Sequence, residues 1–469
     1  MLLDVLVEKG YCTRFDRGED GHLCRLLFAH PELLLAARVH SHVFLADCTY
    51  KTNRFHMPLL NVVGIDSEGM TFNAVFVWLS SECEADYIWA MSMLHEVIGE
   101  NIRPGLFVTD CERALINVIG ECFPSSNTLL CTWHIAKNVL ARTKGEFGAG
   151  NTQAHEAYLN KWHAVCNAAT METFHERLEE WDEFSHICPR AVDYVKTTWL
   201  PYKEKFARAW TDQFLHLGQV ATSRVEGNHA MLKKRIEVSS RNLLDAFFCI
   251  DRAICNQLVE RKVRAAATCA RLMHATQDAL FLGILSKVSK FACTQILTQL
   301  QMAKDAEPGS ECTGVYRRTM GLPCSHELRW LRSRQETLRL TDIHPQWCTP
   351  QVEEEEVHTD DNLSNRVEGL IRQVPALSTS QQHRALHWLH NLVHGHEQYI
   401  QEPAVVRTRG RLPGNREPLS STRRDPSLFE HLERPPRATY RCSRCGEEGH
   451  NIRRCPSRYD AEEGASGHD

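Results

Sequence analysis

HVFLADCTYKTNRFHMPLLNVVGIDSEGMTFNAVFVWLS, residues 42–80, holds three apolar runs divided by polar and turn-forming residues. HVFLAD is a short strand-like run that ends in Asp47, and PLLNVVGID and TFNAVFVWLS are two more. Asp66-Ser67-Glu68-Gly69 between the last two is turn chemistry, so the stretch predicts an antiparallel meander.

Downstream the period changes. In ADYIWAMSMLHEVIGE, Trp89, Met93 and Val97 recur at four-residue steps, which predicts a helix over one sheet face. Pro104-Gly105 breaks it, LFVTD gives a fourth strand ending in Asp110, CERALINVIGECF returns to helical spacing, and NTLLC supplies a fifth strand before WHIAKNVLAR. Three paired strands, a helix, then strands alternating with helices are the order of an α/β, RNase H-like mixed sheet. From about residue 135 to 300 nearly every segment reads helical, so the core over 43–300 is expected to carry a long all-helical insertion at about 135–220.

Upstream, HLCRLLFAHPELLLAARVH with Pro31 as a helix start suggests a helical lead-in over residues 1–42. Residues 347–440 are rich in charge, Pro, Ser and Arg and read as a linker, partly helical or disordered, and 458–469 as a disordered tail.

The chain of 469 residues is 43% hydrophobic, enough for a buried core, and no apolar run approaches the roughly 20 residues a membrane helix needs. Nineteen cysteines without a small-scaffold disulfide pattern point to reduced thiols and metal ligands, hence an intracellular compartment. The net charge of -5 is segregated: Glu353 to Glu356 with Asp360 and Asp361 form an acidic patch, whereas Arg407 to Arg454 is arginine-rich. Contact with nucleic acid is therefore expected to be local.

Asp47 and Asp110 each close an apolar strand, the end of an α/β sheet where ligands gather. Two such carboxylates and a third from a helix suit a pair of Mg²⁺ or Mn²⁺ ions that activate a nucleophile and stabilise a leaving oxygen. Other readings stand beside this one: Asp110 as N-cap of a helix from Cys111, Asp47 opening the turn DCTYKT, and Ser223-Arg224-Val225-Glu226 as a capping box. Spacing alone leaves these open.

ADCTYKTNRFHMPLLNVVGID, VTDCERALINVIGECFP and LLCTWHIAKNVL closely resemble the transposase domain of Mutator-like elements, the group that also includes FAR1-type plant regulators. The resemblance runs from about residue 28 to 346. It implies a DDE core with Asp47 and Asp110 as metal ligands, and, through ATSRVEGNHAMLKKR, Glu226 as the third acid. Cys131-Thr132-Trp133-His134 resembles the family's C-x2-H element, implicated in positioning DNA or organising the site. As metal ligands the pair is incomplete, since a lone C-x2-H offers two of the four ligands of a structural zinc site.

Cys442-x2-Cys445-x4-His450-x4-Cys455 can close a zinc tetrahedron unaided, with Gly446 and Gly449 allowing the tight path and Arg441, Arg444, Arg453 and Arg454 around it for phosphate contact. It resembles a CCHC zinc knuckle, over 441–457, with Ser443 where a stacking aromatic would stand. ECTGVYRRTMGLPCSHEL, within 305–346, resembles a SWIM zinc finger in which Cys312, Cys324 and His326 match and Ser310 replaces the first cysteine.

The activity so implied is metal-dependent DNA cleavage and strand transfer in the nucleus, with Mg²⁺ or Mn²⁺ and Zn²⁺ as cofactors. The implied partners are transposon ends and target DNA, single-stranded nucleic acid at the knuckle, and a second copy of the chain. The alternative is a domesticated or truncated, non-catalytic DNA-binding regulator of the FAR1-like type. Members of the family carry an N-terminal zinc-containing DNA-binding domain, and the roughly forty residues before the expected first strand offer no counterpart. Weak, non-specific binding to repeat ends is the corresponding expectation.

Overall fold

The computed structural model describes residues 2–148, 151–236, 241–275, 278–305 and 312–349, with residues 372, 375, 402 and 403. The acidic patch at 353–361, the arginine-rich stretch at 407–454, Ser310 and the knuckle residues Cys442, Cys445, His450 and Cys455 with their arginines lie outside the described residues.

The chain opens with α1 (Leu2–Glu8), β1 (Cys12–Arg17), β2 (Leu23–Ala29) and α2 (Pro31–Val39). The expected helical lead-in is thus corrected: an antiparallel hairpin, Cys12 opposite Ala29, lies between its helices. LCRLLFA is rich in helix-forming leucine, but pairing with a later strand, Leu26 beside Trp78 and Phe28 beside Phe76, buries Leu26, Leu27 and Phe28 completely. Packing gained that way overrides local propensity. Pro31 does open α2, and the His30 ring caps it by accepting from the Glu32 amide.

The meander follows as β3 (Val43–Thr49), β4 (Leu59–Ile65) and β5 (Thr71–Trp78), then α3 (Glu84–Ile98), β6 (Leu106–Thr109), α4 (Arg113–Cys122) and β7 (Asn127–Leu130). The strands form one mixed seven-stranded sheet in the order β1-β2-β5-β4-β3-β6-β7, with β3, β6 and β7 parallel and the other pairs antiparallel. Every residue of β3 and β4 is buried, which is why those strands read as nearly continuous apolar runs. Phe44, Leu60, Val62 and Phe107 pack with Leu94 of α3 and Leu115 of α4. Alternate residues Leu45, Val63 and Val108 meet Phe281, Ile284, Ile296 and Trp347.

Next come α5 (Thr132–Thr143), α6 (Thr152–Cys166), α7 (Met171–Asp182), α8 (Pro189–Thr198) and the short α9 (Arg208–Thr211). They bury an aromatic core of their own, with Tyr158, Trp162, Phe174 and Trp181 at its centre. α10 (Ser223–Ile236) and α11 (Leu243–Ala275) return to the sheet, followed by α12 (Lys290–Asp305), α13 (Val315–Met320) and α14 (Ser325–Ser333). Among the described residues no helix is long and apolar enough to cross a membrane.

Candidate active site

Ala46 of β3 lies beside Thr109 of β6 in parallel register, so the next step of each chain brings Asp47 and Asp110 to neighbouring positions at the same sheet end. They follow Leu45 and Val108 on the face opposite α3 and α4. Asp47 is 2% exposed and sits within β3, so it does not open a turn. Asp110 is not a helix cap either, because α4 begins at Arg113 and the Glu112 side chain accepts from the Ala114 amide.

Glu226 arrives on the first turn of α10, where a carboxylate is favoured by the helix dipole. Ser223 is the first helical residue, and the Glu226 carboxylate turns instead to His134, whose Nε2 lies 2.9 Å from Oε1. His134 and Cys131 hold the segment leading into that helix: the Thr222 amide donates to Cys131 Sγ at 3.1 Å, and Thr222 Oγ1 lies 3.4 Å from His134 Nδ1. The Thr132 amide and hydroxyl both donate to the Val220 carbonyl, at 3.1 and 3.0 Å. The C-x2-H element therefore lies beneath the carboxylates, with both residues buried.

Asp47, His134 and Glu226 present ligating atoms that all lie within 4.8 Å of one another, while Asp110 stands outside that tight cluster on the adjacent strand end. The expected third partner is thus accompanied by a histidine that the expectation assigned to DNA contact. His229, one helical turn beyond Glu226, brings Nδ1 to 3.6 Å from Asp47 Oδ2.

Burial alone would lower the His134 pKa, but hydrogen bonds to Cys131 and Glu226 and the charge of Asp47 outweigh it and raise it to about 10. Burial would likewise raise Glu226, yet the His134 hydrogen bond and charge, aided by His229 and Asp47, hold it below the usual carboxylate range. Cys131 is also lowered, its burial outweighed by His134 and Thr222. Glu226 and Asp47 bring ligating oxygens within 4.8 Å of one another beside His134. Two close carboxylates are the charge pattern that a hard divalent cation neutralises, so the donor set fits one.

Cys312, Cys324 and His326 form a second cluster with ligating atoms within 4.8 Å. Cys312 Sγ and Cys324 Sγ are 3.5 Å apart, close to the roughly 3.8 Å edge of a tetrahedron built on 2.3 Å Zn–S bonds. Glu327 and Asp342 line the same cleft of about 350 Å³. Burial pushes the Cys324 thiol up, which a bound cation would reverse.

Sequence reasoning missed His229, Thr222 and an amide network on the sheet. Asn73 Oδ1 accepts from Asn61 Nδ2 at 3.0 Å and Asn228 Nδ2 at 3.2 Å, tying α10 to β4 and β5. His229 carried one usable signal, its spacing of three from Glu226; for the asparagines, polar residues inside otherwise apolar strands were the clue.

Residues 43–138 match the family model described as MULE transposase domain. The chain is 26% identical over 362 residues to the PKS-NRPS hybrid synthetase cheA of Chaetomium globosum, a match covering 69% of this chain and 8% of that protein. It is 20% identical over 188 residues to Protein FAR1-RELATED SEQUENCE 5 of Arabidopsis thaliana, covering 39% of this chain and 23% of that protein. Protein FAR1-RELATED SEQUENCE 6 of the same plant is 22% identical over 140 residues, 30% of this chain and 20% of that protein. The chain spans less than a quarter of the length of each of these curated relatives. The chain is thus similar to the MULE transposase domain over residues 43–138 and, over part of its length, to the two FAR1-RELATED SEQUENCE proteins.

Proposed function

We propose that this chain is a DDE-type DNA transposase of the Mutator-like class, cleaving DNA strands and transferring them to target DNA in the nucleus. One observation carries the reading: a helix from far along the chain returns Glu226 to Asp47, beside the strand end that bears Asp110. The strand sequence β5-β4-β3-β6-β7, antiparallel then parallel, supports an RNase H-like core. The MULE transposase domain match over residues 43–138 supports the class.

Asp47, Glu226 and, from the adjacent strand, Asp110 would hold Mg²⁺ or Mn²⁺, which supplies Lewis-acid stabilisation of phosphodiester oxygens and an activated hydroxyl. His134 Nε2 orients Glu226 through Oε1, while Thr222 and Cys131 keep α10 from sliding along the sheet. His229 steadies Asp47 from the same helix. Lys233 and Lys234 further along α10 are suited to phosphate contact, a salt-dependent interaction. Cys312, Cys324 and His326 would hold a zinc ion, and the knuckle residues Cys442, Cys445, His450 and Cys455 another.

The test is cleavage of candidate element ends by the full chain with Mg²⁺ or Mn²⁺. Asp47→Asn and Asp110→Asn should each lower the rate on the order of 10³-fold or more, as loss of an essential group does elsewhere. Unchanged cleavage by either variant sinks the assignment. Similarity to the two FAR1-RELATED SEQUENCE proteins favours a second reading, a non-catalytic DNA-binding regulator. Its signature is DNA binding by the unaltered chain without cleavage under any divalent ion.

A further inference from the structure

The amide network beside Asp47 has a fixed sense. Gln257 Nε2 donates to the Thr71 carbonyl, which accepts only, so Gln257 Oε1 faces β5 and accepts from the Asn73 backbone amide at 3.1 Å and from Asn73 Nδ2 at 3.2 Å. Asn73 Oδ1 must then face its neighbours as acceptor, and it takes protons from Asn61 Nδ2 and Asn228 Nδ2. The orientation of the Asn61 amide follows: nitrogen toward β5, Oδ1 left for the other side.

On that other side stands Asp47, which pairs directly with Asn61 across β3 and β4 and therefore shares its face. Asn61 is fully buried, and among the described residues its Oδ1 has no hydrogen-bond partner. A buried carbonyl oxygen without a donor is costly, and costlier with a carboxylate on the neighbouring strand position. Thr109 Oγ1, another buried atom without a partner among the described residues, is on the sheet's other face and cannot relieve it. A cation held by Asp47 would give the Asn61 oxygen the partner it lacks.

We propose that Asn61 is a further ligand of the divalent-cation site, giving a neutral oxygen through Oδ1 alongside Asp47 and Glu226. The inference rests on the transposase reading only in taking from it a cation at Asp47. Asparagine carbonyls are ordinary ligands of hard cations. The Asn73, Asn228 and Gln257 amides are then positioning groups that keep Oδ1 turned to the ion, and Asn228 ties that orientation to the helix bearing Glu226.

The experiment is Mn²⁺ binding to the full chain, by titration calorimetry and by the paramagnetic resonance signal of free Mn²⁺, with thermal melting of the metal-free protein alongside. Asn61→Leu removes the oxygen while keeping the branched heavy-atom shape and should weaken Mn²⁺ about tenfold. Asn61→Asp loses the hydrogen bond to Asn73 as completely as leucine does, but restores an oxygen. It should bind Mn²⁺ at least as tightly as the unaltered chain, melt lower without metal, and recover on adding Mn²⁺. Equal weakening by both substitutions means that the Asn73 link alone matters, and no weakening by leucine means that Oδ1 faces no ion; either overturns the proposal. Should Asn61→Leu fail to fold, the rise or fall of Mn²⁺ affinity in Asn61→Asp decides alone. Asp47→Asn separates the levels: Mn²⁺ bound normally by that variant refutes the cation site itself.

Discussion

At the scale of single residues, the site depends on the hydrogen bond between His134 and Glu226 and on the thiol beneath it. His134→Ala should release Glu226 and weaken Mn²⁺ binding about 10- to 100-fold, as loss of an orienting neighbour commonly does, with binding calorimetry as the measurement. An unchanged Mn²⁺ affinity would show that Glu226 needs no such support. A different histidine, His40, is buried with its pKa lowered to about 4, burial being the main cause and Arg261 the lesser. The unfolded chain protonates near pH 6.5, so its contribution to stability is complete above that value and is lost as pH falls toward 4. The loss is on the order of 3 kcal/mol. Urea unfolding between pH 7 and 4 should show that decline, and it should shrink in His40→Leu. That Asp47 and Asp110 come to neighbouring positions at one sheet end was legible in the sequence because each ends an apolar run, although β3 itself continues two residues past Asp47. His229, Thr222 and Asn61 were not, because what makes them matter is a partner brought close only by folding.

At the scale of elements, the central strands tolerate little. Gly64 in β4 leaves the space that the Phe72 ring occupies, and a Cβ there would stand 2.2 Å from Phe72 Cζ. Gly64→Ala should therefore destabilise by about 1–3 kcal/mol. Gly120, exposed in the last turn of α4 with nothing near its would-be Cβ, offers the opposite case. Gly120→Ala should stabilise by about 0.4–1 kcal/mol through lower entropy of the unfolded chain. Chemical denaturation of the two variants checks both, and a Gly64→Ala protein as stable as its parent would contradict the packing described. The meander, α3, α4 and the two parallel strands were readable from alternation between strand-like runs and helical periodicity. β1 and β2 were not, since leucine-rich LCRLLFA suits a helix locally and becomes a strand only by pairing with β5, some fifty residues later.

At the scale of the whole molecule, the sheet and the helical layer α5–α9 bury separate cores, one built on strands and one on Tyr158, Trp162 and Trp181. That both lie in one chain was visible in the long helical periodicity after residue 135, but their meeting point was not. The chain leaves and returns at the pair of hydrogen bonds from Thr132 to Val220, beside Leu130 of β7 and Ile116 of α4, which pack into the helical core. Since departure and return occur at one spot, everything between behaves as a cassette plugged into a socket. Closing a long loop costs little more than closing a short one, because the entropy rises only with the logarithm of its length. A shortened chain that retains α5 through Asn138 and rejoins at Leu217 through a flexible bridge should keep its sheet, as amide exchange of β3, β4 and β6 would report. Lineages carrying this scaffold are then free to exchange the cassette for another without disturbing the acids at its rim.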